Sequence, residues 1–195
     1  MSEDYHQPDF YRFNEDSINL VKWIIEKKHH PQSVLDLGAG CGVIGIELSR
    51  SLKPEVLTLV ELQSNFLKYL DTNCQLFVPS STQYSIQINA FSDFSSLSKY
   101  DLIVSNPPYY LPGRGEIPKN PNRALARTFL KDSWPVLIKT ISDCLALDGT
   151  AYIVLKKDDF LLLGISKLVL QYDLNLESFE RHSLMILELF RLNKN

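Results

Sequence analysis

Apolar positions along this chain follow two rhythms. From Ile18 to Ile25 they recur at helical spacing, with Ile18, Val21, Ile24 and Ile25 on one side, and that period predicts an amphipathic helix. Asn14 or Asp16 is placed to cap its start. Its basic end, Lys27 to His30, is read as a solvated helix terminus closed by Pro31. Elsewhere short apolar-rich stretches, at 33–37, 56–60, 84–89 and 99–105, are read as strands. Those at 33–37 and 101–105 are of the kind that makes buried strands of a parallel sheet. Helical stretches between them, to about Arg50 and over 63–77, complete an alternating strand–helix pattern and predict an α/β architecture.

The later chain continues the pattern. A helix is expected over 134–147, with Val136, Leu137, Ile141 and Leu145 inward and Pro135 in its first turn. Asp148 and Gly149 form a turn, 150–155 a fifth strand and 161–170 another helix. Two last strands, 174–179 and 184–190, are joined by a polar turn near 181–183, as in an antiparallel hairpin. Trp23, Trp134 and Tyr152 are read as core or rim aromatics without a chemical role.

Three strand ends carry candidate chemistry. The fourth strand stops at Asn106-Pro107-Pro108-Tyr109, where two prolines forbid strand continuation and stiffen the turn. The Asn106 side-chain oxygen and the Pro107 carbonyl make two acceptors, a match for an NH2 group with two hydrogens to donate. Tyr109 can stack on the flat group that carries the amine. A plain Asn-Pro turn is the competing reading, and its position at a strand's carboxyl edge, where ligands bind in open α/β sheets, favours chemistry. The first strand runs into Gly38-Ala39-Gly40-Cys41-Gly42 and then a helix, which allows a ligand close to backbone and helix N-terminus. Val43 stands where a dinucleotide fingerprint would need another glycine. Glu61 ends the second strand about 20 residues on, the interval at which an acid can accept both hydroxyls of a ribose; it is also placed to cap the helix near Gln63.

This ordered set resembles the class I S-adenosylmethionine-dependent methyltransferases that act on exocyclic or amide NH2 groups. Gln7, Tyr11-Arg12-Phe13, Asp16, Arg123 and Ala126-Arg127 add a similarity to the bacterial tRNA adenine-N6-methyltransferase family acting on adenine 37 of a valine tRNA. The resemblance implies a Rossmann-like fold: a seven-stranded, mostly parallel sheet with an antiparallel C-terminal hairpin and helices on both faces. It implies S-adenosyl-L-methionine as cofactor, with Asp36, Gly38, Gly40 and Gly42 at its methionine part, Glu61 at the ribose and Leu62 against the adenine. Asn106, Pro107 and Tyr109 are the expected catalytic residues, with Asn106 also facing the cofactor. The pattern usually places an acid after the third strand for the adenine amino group; here Asn89-Ala90-Phe91 stands there, leaving Ala90 and Phe91 as the contacts, with Asp93 a solvated alternative.

Composition narrows the partners. The 195 residues are 45% hydrophobic and 22% charged with a net charge of -3, which fits one domain, residues 1–195, without a global basic field. Charge is uneven, however. Arg114, Lys119, Arg123, Arg127 and Lys131 stand against Glu116 alone in 111–131, a local +4. Such a stretch beside the reactive turn is expected to be an irregular substrate loop for a polyanion such as tRNA, with a merely solvated loop as the alternative. Tyr11, Arg12, Arg114, Lys119, Arg123 and Arg127 are therefore the candidate substrate contacts. Residues 1–31 form an N-terminal segment and helix. Three separated cysteines, Cys41, Cys74 and Cys144, imply reduced thiols in the cytoplasm and no metal site, and the polar start carries no signal-like apolar run. Release-factor glutamine methylation, DNA adenine methylation and a non-catalytic cofactor- or RNA-binding module remain as alternatives.

Overall fold

The computed structural model describes residues 5–108, 118–128, 132–181 and 183–191. Seven strands form one sheet: β1 (Ser33–Leu37), β2 (Val56–Glu61), β3 (Gln83–Ile88), β4 (Tyr100–Ser105), β5 (Leu145–Lys156), β6 (Asn175–Arg181) and β7 (Leu184–Phe190). Their spatial order is β3-β2-β1-β4-β5-β7-β6. The pairs from β3 through β5 are parallel, and β7 is antiparallel to both β5 and β6. Strand order reverses between β1 and β4, and that switch point is where the connecting helices diverge and leave a crevice at the strands' carboxyl ends.

Alternation along the strands fills two cores. Leu35, Leu37 and Ile103 face one side, under α5 (Trp134–Cys144) and α7 (Ile165–Leu170). Val34, Leu102 and Val104 face the other, under α1 (Glu15–Glu26), α2 (Val43–Leu52) and α3 (Leu67–Phe77). Burial of these side chains, at roughly 1.5–3 kcal/mol each, is the main favourable term holding the strand ends in register. Trp134 and Tyr152 are buried, as expected of core aromatics, and Cys41, Cys74 and Cys144 are buried free thiols.

Several expectations are corrected in detail. His29 is not at a solvated end: Lys28 adopts a left-handed backbone (φ 57) that turns the chain back, and the half-buried His29 imidazole meets the Tyr152 hydroxyl at 2.7 Å. Burial lowers its pKa. The stretch 63–77 opens as a 3-10 turn, Ser64–Phe66, before α3. Helix α5 ends at Cys144, and β5 starts there at once: Tyr100 pairs with Leu145 but Leu102 with Thr150, so 146–149 loops out within the strand where a free turn was expected. The single helix over 161–170 is two, α6 (Lys157–Leu162) and α7, broken at left-handed Gly164.

The basic stretch is not irregular throughout. Pro121–Arg127 is a helix, α4; Asn120 caps it by accepting from the Asn122 and Arg123 amides at 3.0 and 3.1 Å, and Pro121 occupies the first turn. Asn120 and Pro121, within the stretch expected to be an irregular loop, here start a helix. Among the described residues no helix is long and apolar enough to cross a membrane.

Candidate active site

At the switch point the ends of β1, β2 and β4 are tied together. The Ser105 hydroxyl donates to the Leu37 carbonyl (2.7 Å), and the amides of Gly38 and Ala39 donate to the Val60 carbonyl (2.8 and 3.0 Å). The glycine turn follows. At Gly40 (φ 56) an added Cβ would lie 4.0 Å from the Phe66 and Tyr11 rings, so the backbone faces space a ligand can enter. Gly42 (φ 84) differs: a Cβ there would sit 2.6 Å from Leu70, so this glycine serves helix packing.

Two cavities meet above this turn. The first, a narrow cleft of about 60 Å³, is lined by Gly38, Gly40, Glu61, Leu62, Phe66 and Phe91, and closed by Asn106, Pro108, Asp132 and residues of α4. Its volume is below the roughly 300–1,000 Å³ of ordinary small-molecule sites. Helix α4 is one wall: Leu125, Ala126 and Thr128 face the cleft, and Asn122 accepts from the Asn65 amide at 3.0 Å. The second cavity is a groove of about 490 Å³ lined by Tyr11, Arg12, Asp16, Arg127, Lys156 and Asp158, with Pro107, Ser183 and Leu184. Tyr11, Asn106, Pro108 and Ala126 belong to both.

Asn106 therefore stands on the divide. Its side-chain nitrogen donates at 2.9 Å to the hydroxyl of Ser17, a buried residue in the first turn of α1. That bond ties the Asn106 side chain to α1. The N-terminal segment delivering Tyr11 and Arg12 is held in turn: the Phe13 amide donates to the Gln7 side chain (3.0 Å), and the Arg12 guanidinium to the carbonyls of Gln7 and Pro8 (3.2 and 3.4 Å). Burial pushes the Tyr11 phenol up to about 12, which keeps it neutral at physiological pH.

Glu61 is buried at the end of β2 and braced twice, by the Gly40 amide on Oε2 (2.8 Å) and the Gln63 amide on Oε1 (2.9 Å). The Gln63 bond meets the helix-start role expected of it, and a carboxylate retains further lone pairs after accepting two bonds. Burial raises its pKa, against those backbone bonds. Asp36 lies behind the turn. Its Oδ2 accepts from the Gly45 amide at 2.8 Å, its Oδ1 is buried without a partner among the described residues, and burial pushes the carboxyl up to about 7.

The sequence-predicted residues divide accordingly. Gly38, Gly40, Glu61, Leu62, Phe91 and Asn106 come together around the cleft, whereas Asp36, Gly42 and Ala90 do not reach its wall. Tyr11, Arg12 and Arg127 come together at the groove; Lys119 and Arg123 are exposed outside both. Tyr109 and Arg114 lie outside the described residues. Asp93 is exposed and away from the cleft. Ser17, Phe66 and Asp132 were missed; nothing in their local pattern separates them from ordinary helix or loop residues. No group of metal-ligating side chains was found among the described residues.

A parallel sheet with this switch point, a glycine turn after β1, an acid ending β2 and Asn-Pro-Pro ending β4 define the class I methyltransferase fold. Residues 15–159 match the family model of the methyltransferase small domain, and the chain belongs to that family. It is 28% identical over 146 residues to a tRNA1(Val) (adenine(37)-N6)-methyltransferase of Pedobacter heparinus, covering 74% of this chain and 59% of that protein. It is also 35% identical over 95 residues to a release factor glutamine methyltransferase of Fusobacterium nucleatum, covering 49% and 25%. Among solved structures, the 16S rRNA N2 methyltransferase of T. thermophilus, in complex with AdoMet and guanosine, superposes with a TM-score of 0.66 at 16% identity, covering 93% of this chain and 44% of that one. The chain spans about half the length of the curated relatives it matches. Family membership indicates S-adenosylmethionine as cofactor. The cleft fits it chemically: open backbone at Gly40, a braced carboxylate for a diol, and Leu62, Phe66 and Phe91 as apolar walls for a flat base.

Proposed function

We propose that this chain transfers a methyl group from S-adenosylmethionine to an exocyclic amino group, adenine N6 of a transfer RNA. The observation that carries the reading is the position of Asn106 between a narrow, largely apolar cleft and a wider groove lined by charged side chains. When bound in the cleft, the cofactor supplies a methyl already activated by its sulfonium, so the protein's task is alignment. Glu61 takes the ribose hydroxyls, the glycine turn and Asn106 border the methionine end, and Leu62 and Phe91 hold the base.

On the groove side, the Asn106 amide oxygen and the Pro107 carbonyl accept the two hydrogens of the target amine, which turns its nitrogen lone pair toward the cleft. Tyr109 is assigned to stack on the target ring. Ser17 is a positioning residue that tethers the Asn106 side chain to α1. Arg12 and Arg127, beyond the groove Lys119 and Arg123, and from the sequence Arg114, are assigned to contact phosphates, which fix the nucleic acid without reading its sequence. The similarity to tRNA adenine methyltransferases along 74% of the chain supports RNA as partner. Glutamine amides present the same NH2, and the likeness to a release factor methyltransferase keeps that as a second reading.

Incubation with labelled cofactor and, separately, total tRNA, DNA and release factor tests the assignment. Label in tRNA, recovered as N6-methyladenosine after digestion, is the expected result; label in release factor alone would transfer the assignment to glutamine.

A further inference from the structure

Two carboxylates, Glu61 and Asp132, line the cleft, and only the first has been given a task. Asp132 comes from a distant part of the chain, just ahead of α5. Its Oδ2 accepts from the Phe91 amide at 3.0 Å and its Oδ1 from the Ser92 amide at 3.3 Å. Two backbone donors thus pin a half-buried carboxylate beside the turn that follows β3. Each oxygen retains lone pairs after one such bond, so the group is fixed in place and can still accept. Phe91, the residue it holds, is itself a wall of the cleft, its ring within 3.5 Å of where a Gly38 Cβ would stand. The turn's own carboxylate, Asp93, is exposed and does not line the cleft.

We propose that Asp132 is the acceptor for the 6-amino group of the methyl donor's adenine, and so the residue that selects an amino purine in this cleft. This rests on the reading of the cleft as the methyl-donor site. With the ribose at Glu61 and the base between Leu62 and Phe91, the edge of the purine reaches the Phe91–Ser92 turn and the carboxylate bound to it. A carboxylate only accepts hydrogen bonds. It therefore favours an NH2 at that edge over a hydrogen, and repels a carbonyl.

Calorimetry with S-adenosylhomocysteine, and with its analogue bearing hydrogen in place of the 6-amino group, tests this directly. A charge-assisted hydrogen bond implies that the wild type binds the amino compound about 10- to 100-fold tighter. In Asp132→Ala the preference falls to within about twofold. In Asp132→Asn, which retains an acceptor for the Phe91 amide, it falls part of the way. Loss of the turn's support alone would weaken both compounds equally and leave their ratio unchanged, so an unchanged ratio in both variants overturns the proposal. A wild type that binds S-adenosylhomocysteine tightly without any preference overturns it too, while the cofactor reading survives. A wild type that binds neither compound overturns both.

Discussion

The cleft and the groove on either side of Asn106 are built in opposite ways. The cleft is narrow and apolar-walled, and its floor comes from turns that directly follow β1, β2 and β3. The groove is wider and mixes Arg12, Arg127 and Lys156 with Asp16 and Asp158. Its walls come from the N-terminal segment, α4, the end of β5 and the β6–β7 turn. A small, invariant ligand can be held by a handful of strand-end residues. Under the proposed reading, a large polyanion is met by segments drawn from several parts of the chain.

If that division is right, single substitutions should damage one side and spare the other. Asn106→Ala, on the divide, has the largest expected effect: turnover falls by about 10²–10³, the scale on which one lost catalytic hydrogen bond is felt, while S-adenosylhomocysteine affinity measured by calorimetry changes less than about threefold. Equal losses of both would place Asn106 in cofactor binding alone. Glu61→Ala acts on the cleft, weakening cofactor binding about 10- to 100-fold through lost charge-assisted hydrogen bonds with tRNA affinity intact. Arg127→Ala acts on the groove. It lowers tRNA affinity about tenfold at low salt and reduces the salt slope by about one phosphate contact, measured by titration at several ionic strengths, and leaves cofactor affinity alone. Ser17→Ala, which removes one tether of the Asn106 side chain, costs about 1 kcal/mol, or roughly fivefold in turnover, with both affinities unchanged.

The smallest effect concerns the support behind the cleft. Asp36 has its pKa pushed up to about 7 by burial, against about 3.9 in an unfolded chain. The folded state therefore retains a proton that the unfolded state releases, and this group's contribution to stability declines as pH rises from about 4 to 7. Asp36→Asn should melt about 2–4 °C above the wild type at pH 8, the shift that about 1 kcal/mol gives in a domain of this size. Near pH 4 the two should melt together.

The same contrast explains what the sequence made legible. Apolar-rich stretches broken by Gly, Asn-Pro and an acid mark strand ends, and strand ends at a switch point line the cleft, so Gly38, Gly40, Glu61 and Asn106 could be found from spacing, and Leu62 from the family resemblance. Asp36 and Gly42 share that motif, yet they act inward, on Gly45 and on Leu70, because spacing does not show which side of a turn a residue faces. Ser17 and Asp132 were invisible because each meets its partner across a large sequence separation, and only the folded chain brings Ser17 to Asn106 or Asp132 to Phe91. His29 and the start of α4 misled for a related reason. Tertiary contact with Tyr152 overrode a helix-end pattern, and Asn120-Pro121 serves equally as a loop signal or a helix cap.

The most direct test of Asn106 as the meeting point of two sites is one compound that must occupy both: an adenosine joined through its N6 atom to the methyl-donating position of an S-adenosylmethionine analogue. The account predicts that this compound displaces S-adenosylhomocysteine and tRNA alike, and that Asn106→Ala weakens it more than it weakens S-adenosylhomocysteine. Displacement of one ligand with the other untouched would contradict it.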